Sequence, residues 1–234
     1  MDGHKLRRLE WLILLWASAS VVTGFVVSLV SPEYFHDVFA AEDHYIENMT
    51  VVSLLGAFLI CADRIYRIGR SRGAIFLAVG LLSALLFAFG AGEELSWGQR
   101  LLHIPTPDFF IHHNAQKELN LHNLVFGGTK VNKVVFSDLL GVFVVLYLVV
   151  FPYAYPRVGG LKRIADEWGV PVPRLYQVIL YAVSTVLVLL IPDSRRWEVL
   201  EFAGASTFWL IFWYPTNRDA CMLSSWSARE SRRK

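Results

Sequence analysis

Six runs of apolar residues alternate with polar connections along the chain, at 11–30, 49–62, 74–92, 134–151, 175–191 and 199–214. A helix needs roughly 20 residues to cross the hydrocarbon core of a bilayer, and about 17 as a lower limit. The pattern therefore predicts an all-α fold, a polytopic membrane helical bundle with about six transmembrane helices, built as a single integral membrane domain over residues 1–234. The second run is short, so its helix is expected to begin a turn earlier and to include Ile46, Glu47 and Asn48. No internal repeat of the kind seen in many transporters is visible. The connection at 159–173 contains a short amphipathic patch, LKRIADEW, suited to lying on a leaflet surface.

Composition agrees with this pattern. The chain is 55% hydrophobic and 18% charged, and the charges cluster between the apolar runs. Sixteen of the 22 Lys and Arg residues fall in the amino-terminal segment, the second and fourth connections and the tail. Basic residues mark the cytoplasmic side, so both termini are expected there. The opposite side holds 13 acidic residues against six basic ones. A basic face of this kind follows from topology and attraction to anionic lipid, so membrane lipids are the expected partners; no nucleic acid is expected, and protein partners are not specified. Cys61 and Cys221 lie toward the cytoplasmic side, which does not suit a disulfide framework.

The candidate chemistry sits in the outer connection between helices 3 and 4, GEELSWGQRLLHIPTPDFFIHHNAQKELNLHN over 92–123. It carries paired carboxylates, amides, an arginine and four histidines, far more than a turn requires. Glu93 and Glu94 would repel each other at a membrane boundary unless protonated, paired or bridged by a cation. A helix continuing past Gly92 would put Glu93, Ser96 and Arg100 on one face. Pro105 and Pro107 interrupt regular structure, and Phe109, Phe110 and Ile111 suit an interfacial anchor. Beyond them, a helix would align Asn114, Glu118 and His122, whereas an extended chain would align Gln116, Glu118, Asn120 and His122. Acids elsewhere on this side fall near helix ends: Glu42, Asp43 and Glu47 before the second, Asp138 in the fourth, and Glu198 and Glu201 in the sixth.

Taken together, the segments Glu42-Asp43…Glu47, Gly92-Glu93-Glu94-x-Ser96-Trp97-Gly98-Gln99-Arg100 and Asn114-x-Gln116-x-Glu118-x-Asn120-Leu121-His122-Asn123 resemble a family of bacterial polytopic membrane proteins of unknown function. The resemblance implies a multi-pass protein of the bacterial inner (cytoplasmic) membrane in which these polar positions belong together, and it transfers no activity. A more distant similarity links the outer acids, serine and histidine to the ceramidase-like membrane metal hydrolases. The chain departs from these in having about six spans rather than seven and in lacking their paired late-helix histidines.

Three functions compete. The first is a membrane-embedded, metal-dependent hydrolase or transferase acting on a lipid or lipid-linked substrate at the outer interface. Its catalytic candidates are Glu93, Glu94, Ser96, Glu118 and His122. Substrate would be held by Arg100, Gln99, Asn114, Gln116, Asn120, Asn123, Glu198 and Glu201, with Arg100 clamping an anionic headgroup. Glu47, Glu94, Glu118 and His122 would hold Zn or another divalent cation. The second function is a noncatalytic scaffold or assembly factor whose polar groups form a buried network. The third, a proton- or cation-coupled transporter, is disfavoured because the cytoplasmic halves of the helices are almost entirely apolar.

Overall fold

The computed structural model describes residues 3–121, 123–126, 129–130 and 139–222. His122, Asp138 and the side chain of Arg100, all singled out from the sequence, lie outside what it describes. Among the described residues the fold is all-α apart from one ribbon of two short antiparallel strands, β1 (Val125–Phe126) and β2 (Thr129–Lys130). The main helices are α1 (Gly3–Val30), α2 (Tyr45–Arg64), α3 (Ala74–Glu94), α4 (Asp108–His113), α5 (Leu140–Ala154), α6 (Gly159–Trp168), α7 (Leu175–Leu189) and α8 (Arg196–Trp213).

Three of these segments, Arg7–Val30, Tyr45–Gly69 and Ala74–Glu94, are long and apolar enough to cross a membrane. A fourth is added if α5 and α6, bent by 117° to each other, count as one broken span. The expected runs at 175–191 and 199–214 do form helices, but neither meets that standard. The 15 residues of α7 rise only about 22 Å, against a hydrocarbon core of about 30 Å. The first six residues of α8 include Arg196, Glu198 and Glu201. As the short second apolar run suggested, α2 starts early, at Tyr45, with Glu47 in its first turn. Glu47 reaches back to accept the backbone N–H of Asp43, just ahead of the helix N-cap at His44.

α2 and α8 form the centre of the bundle: α2 packs between α3 and α8, and α8 also packs on α7 and α1. Their close approach depends on Gly56, where a Cβ would lie 2.4 Å from Trp209 Cε2. One apolar cluster, including Phe35, Ile46, Val199 and Phe202, fills the end near the starts of α2 and α8. A second, with Ile60, Ala84, Leu148 and Phe212, fills the other end. Outward faces are also apolar: Leu81, Leu82, Leu85 and Leu86 of α3 are all exposed. A helix apolar all round is the form expected when the surroundings are lipid rather than water. Both cysteines are free and buried. The end of α3 and the starts of α2 and α8 meet at one pole, and the polar connection folds over them.

Candidate functional site

The polar connection is neither the helix nor the extended strand considered from its sequence. α3 stops at Glu94, and Ser96, Trp97 and Gly98 then take left-handed backbone angles in succession, with φ of 46°, 55° and 76°. For the two non-glycine residues this conformation costs about 1–2 kcal/mol each, so surrounding contacts must hold it. The Ser96 hydroxyl donates to Glu118 Oε2 at 2.6 Å and accepts from Asn120 Nδ2 at 3.1 Å. The Trp97 indole N–H donates to Glu93 Oε1 at 2.8 Å. Its ring lies against Gly92, where a Cβ would meet Trp97 Cζ3 at 2.9 Å. Gly92 therefore leaves room for the ring of its own loop.

From His113 the chain leaves α4 and doubles back. Asn114 Nδ2 donates to both the backbone and side-chain oxygens of Asn120 at 2.8 Å, while its own Oδ1 accepts the Gln116 N–H at 2.8 Å. Gln99 joins the two halves of the loop, accepting from the Leu119 N–H and donating to the Thr106 hydroxyl, both at 2.6 Å. Glu93 is buried and accepts the Leu121 N–H at 2.6 Å through its second oxygen. The adjacent carboxylates thus diverge: Glu93 ties down the loop, and Glu94 turns into a cavity.

That cavity has a volume of about 40 Å³ and is lined by Glu42, Glu47, Glu94, Gln116, Glu118, Asn120, Asn123, Glu198 and Glu201. Six of the nine lining residues are glutamates. The space is enough for a bare ion or a few water molecules, since a buried water needs roughly 10–15 Å³. Carboxylate oxygens of Glu94, Glu198 and Glu201 lie within 4.8 Å of one another. Glu94 and Glu198 are half-buried and Glu201 is exposed. Two like charges at that separation repel by roughly 3 kcal/mol at an effective dielectric of about 20, before any counter-charge. The spacing fits oxygens bound to one cation, since ligands each about 2.4 Å from a shared Ca²⁺ are at most about 4.8 Å apart. The described donors are carboxylate and amide oxygens, which suit hard cations such as Ca²⁺, Mg²⁺ or Mn²⁺ better than Zn²⁺.

Of the residues chosen from the sequence, Glu47, Glu94, Gln116, Glu118, Asn120, Asn123, Glu198 and Glu201 meet at this cavity. Glu93, Ser96, Gln99 and Asn114 do not line it. They are buried behind it, in the hydrogen bonds that shape its wall. His36, His44, His103, His112 and His113 are not among the lining residues. His36 instead faces Asp193 at 3.1 Å, joining the first outer connection to the turn before α8. Glu42 was absent from the candidate site residues, yet it lines the cavity and accepts from Gln116 Nε2. Its signal was present in the Glu42-Asp43…Glu47 segment and in the lack of any Lys or Arg over 31–48. No family model, curated protein or solved structure matches the chain.

Proposed function

We propose that the protein is an enzyme of the bacterial inner membrane, with six spans and both termini in the cytoplasm, that uses a divalent cation in the glutamate-lined cavity. Its reaction is hydrolysis or group transfer on a lipid or lipid-linked substrate at the outer interface. The observation that carries this reading is the meeting of Glu94, Glu198 and Glu201 carboxylates within 4.8 Å. A cation bound there would polarise a substrate oxygen or lower the pKa of a bound water. Glu118, oriented by Ser96 and Asn120, holds its carboxylate at the cavity wall, where it can take a proton from an attacking water.

A lipid substrate is favoured by the way the cavity opens. Glu201 is exposed although it lies five residues into α8, or about 7 Å along the helix axis. The exposed rings of Trp97 and Trp197 flank this end, where amphipathic aromatic side chains suit a membrane interface. Transport fits less well. The buried hydroxyls of Thr50, Ser53 and Ser206, deeper in the bundle, donate to carbonyls of their own helices and are not turned toward a permeant ion. The scaffold reading draws on one observation, the closed hydrogen-bond network of Ser96, Asn114 and Asn120.

The test is turnover of a total bacterial lipid extract by protein purified in detergent, followed by mass spectrometry of the products. The enzyme reading expects product formation that stops on chelation, returns with added cation, and is lost in Glu118→Gln with folding intact. A Glu118→Gln protein that is merely less stable, with no lipid altered by the parent chain, would favour the scaffold. The topology is tested separately: a reporter fused after Lys234 should lie in the cytoplasm, and one inserted within 105–117 outside it.

A further inference from the structure

At the opposite pole, the start of α7 and the turn following α8 border a wide, open groove of about 490 Å³ lined by Arg174, Leu175, Tyr176, Ile179 and Thr216. Its polar groups are unequally used. The Tyr176 hydroxyl is given to Glu10 and the Thr216 hydroxyl donates to the Pro173 carbonyl at 2.9 Å. Arg174 donates from Nε and Nη2 to the Pro215 carbonyl, both at 3.2 Å, and its guanidinium lies 4.2 Å from the centre of the Tyr214 ring. These contacts fix the plane of the guanidinium without neutralising it. Nη1 makes no hydrogen bond among the described residues.

The wall of the groove is apolar and outward-facing: Leu175 is 75% exposed and Ile179 51%. Both belong to a stripe on α7 that continues through the exposed Val183 and Val186, at the spacing of a single helix face. The stripe is about 16 Å long at 1.5 Å per residue, close to the depth of one leaflet in a core of about 30 Å. A fixed cation at the head of a leaflet-length apolar track has the layout of a phospholipid. The charge also matches, because the segments at this pole carry the chain's excess of basic residues, although Lys162 and Arg163 are themselves paired with Asp166 and Glu167.

We propose that this groove is a binding site for one anionic phospholipid of the adjacent leaflet. Its phosphate is held by Arg174 and one acyl chain lies along Leu175, Ile179 and Val183. An arginine fits the task better than a lysine, since its planar fork can stay anchored to a carbonyl on one edge while offering the other to phosphate. The site is distinct from the glutamate cavity, and variants of the cavity should leave it unchanged.

The experiment is native mass spectrometry of the detergent-purified full chain, titrated with phosphatidylglycerol, with phosphatidylcholine and with inorganic phosphate. One phosphatidylglycerol should be retained per chain, about tenfold more tightly than phosphatidylcholine, and inorganic phosphate at the same concentration should not displace it. Arg174→Gln should remove the preference between the two lipids. Ile179→Trp leaves the charge in place and fills the track, so it should weaken both lipids and decides the matter if Arg174→Gln does not fold. Equal retention of the two lipids by the parent chain, displacement by inorganic phosphate, or unchanged retention in Ile179→Trp would overturn the proposal.

Discussion

At the basic pole, buried polar side chains finish off helix ends. Arg64 donates to the Phe212 carbonyl, Gln177 Nε2 to those of Leu210 and Tyr214 at 3.0 and 3.2 Å, and Arg174 to that of Pro215. These carbonyls lie at and just beyond the last turn of α8, at the negative end of its dipole, and that of Leu210 also accepts the Tyr214 N–H. At the acidic pole, Glu93 and Glu47 also bond to the backbone, accepting the loop N–H groups of Leu121 and Asp43. The acidic pole then goes further. Glu94, Glu198 and Glu201 hold their carboxylates within 4.8 Å of one another across a cavity. Burial of polar groups alone therefore does not mark a site. What does is several like-charged groups brought together at a cost.

That contrast can be broken by substitution, and the largest expected effect is at the cavity. Glu94→Gln or Glu201→Gln should weaken divalent-cation binding by about 100-fold or more, given that even outer-shell partners of metal sites are worth about 10–100-fold. Thermal stability without added cation should hold or rise, because a like-charge contact is relieved. Calorimetric titration beside a melting curve reads both. Arg64→Ala should do the opposite, lowering stability by about 1–3 kcal/mol as the Phe212 carbonyl loses its partner, with cation binding unchanged. If Arg64→Ala weakened the cation as much as Glu94→Gln, the two poles would not be separable in this way.

Smaller effects sharpen the account of the loop. Gly92→Ala places a methyl where the Trp97 ring lies, at a cost of about 1–3 kcal/mol for overpacking. It should also loosen the cavity wall, seen as a change in Trp fluorescence and faster hydrogen exchange at Leu121. Ser96→Ala should cost about 1–2 kcal/mol for the bonds lost to Glu118 and Asn120. Ser96→Gly loses the same bonds but relieves the left-handed backbone, so it should melt above Ser96→Ala; the reverse order would show that the left-handed turn is not held against a cost.

Much of the helical frame was legible in the sequence. Apolar runs report α1, α2, α3 and α7 directly, and the short second run even signalled the early start of α2 at Tyr45. The same pattern did not register where α7 and α8 start and stop, since a window of hydropathy averages over helix ends. Leu190 and Ile191 already leave α7, and α8 begins with three charges in six residues. Most cavity residues could be picked out, since an acid near a membrane boundary stands out against apolar surroundings. The division of labour between neighbours could not. Glu93 and Glu94 are identical in composition and differ only in direction as successive residues of α3. What each meets depends on a left-handed turn over Ser96–Gly98 whose partners lie more than 20 residues away. Glu42 was visible as an acid, but its link to the site passes through Gln116, 74 residues away.

The central claim, that the glutamate cavity holds a divalent cation, is tested most directly by measuring metal content and cation binding on the purified full-length chain. Elemental analysis should be paired with calorimetric titration of Mg²⁺, Mn²⁺, Ca²⁺ and Zn²⁺ into chelator-treated protein. The account predicts one cation per chain, with Ca²⁺, Mg²⁺ or Mn²⁺ bound more tightly than Zn²⁺ and binding lost in Glu94→Gln. A folded chain that binds none of the four, or a Glu94→Gln variant that binds them as the parent does, would contradict it.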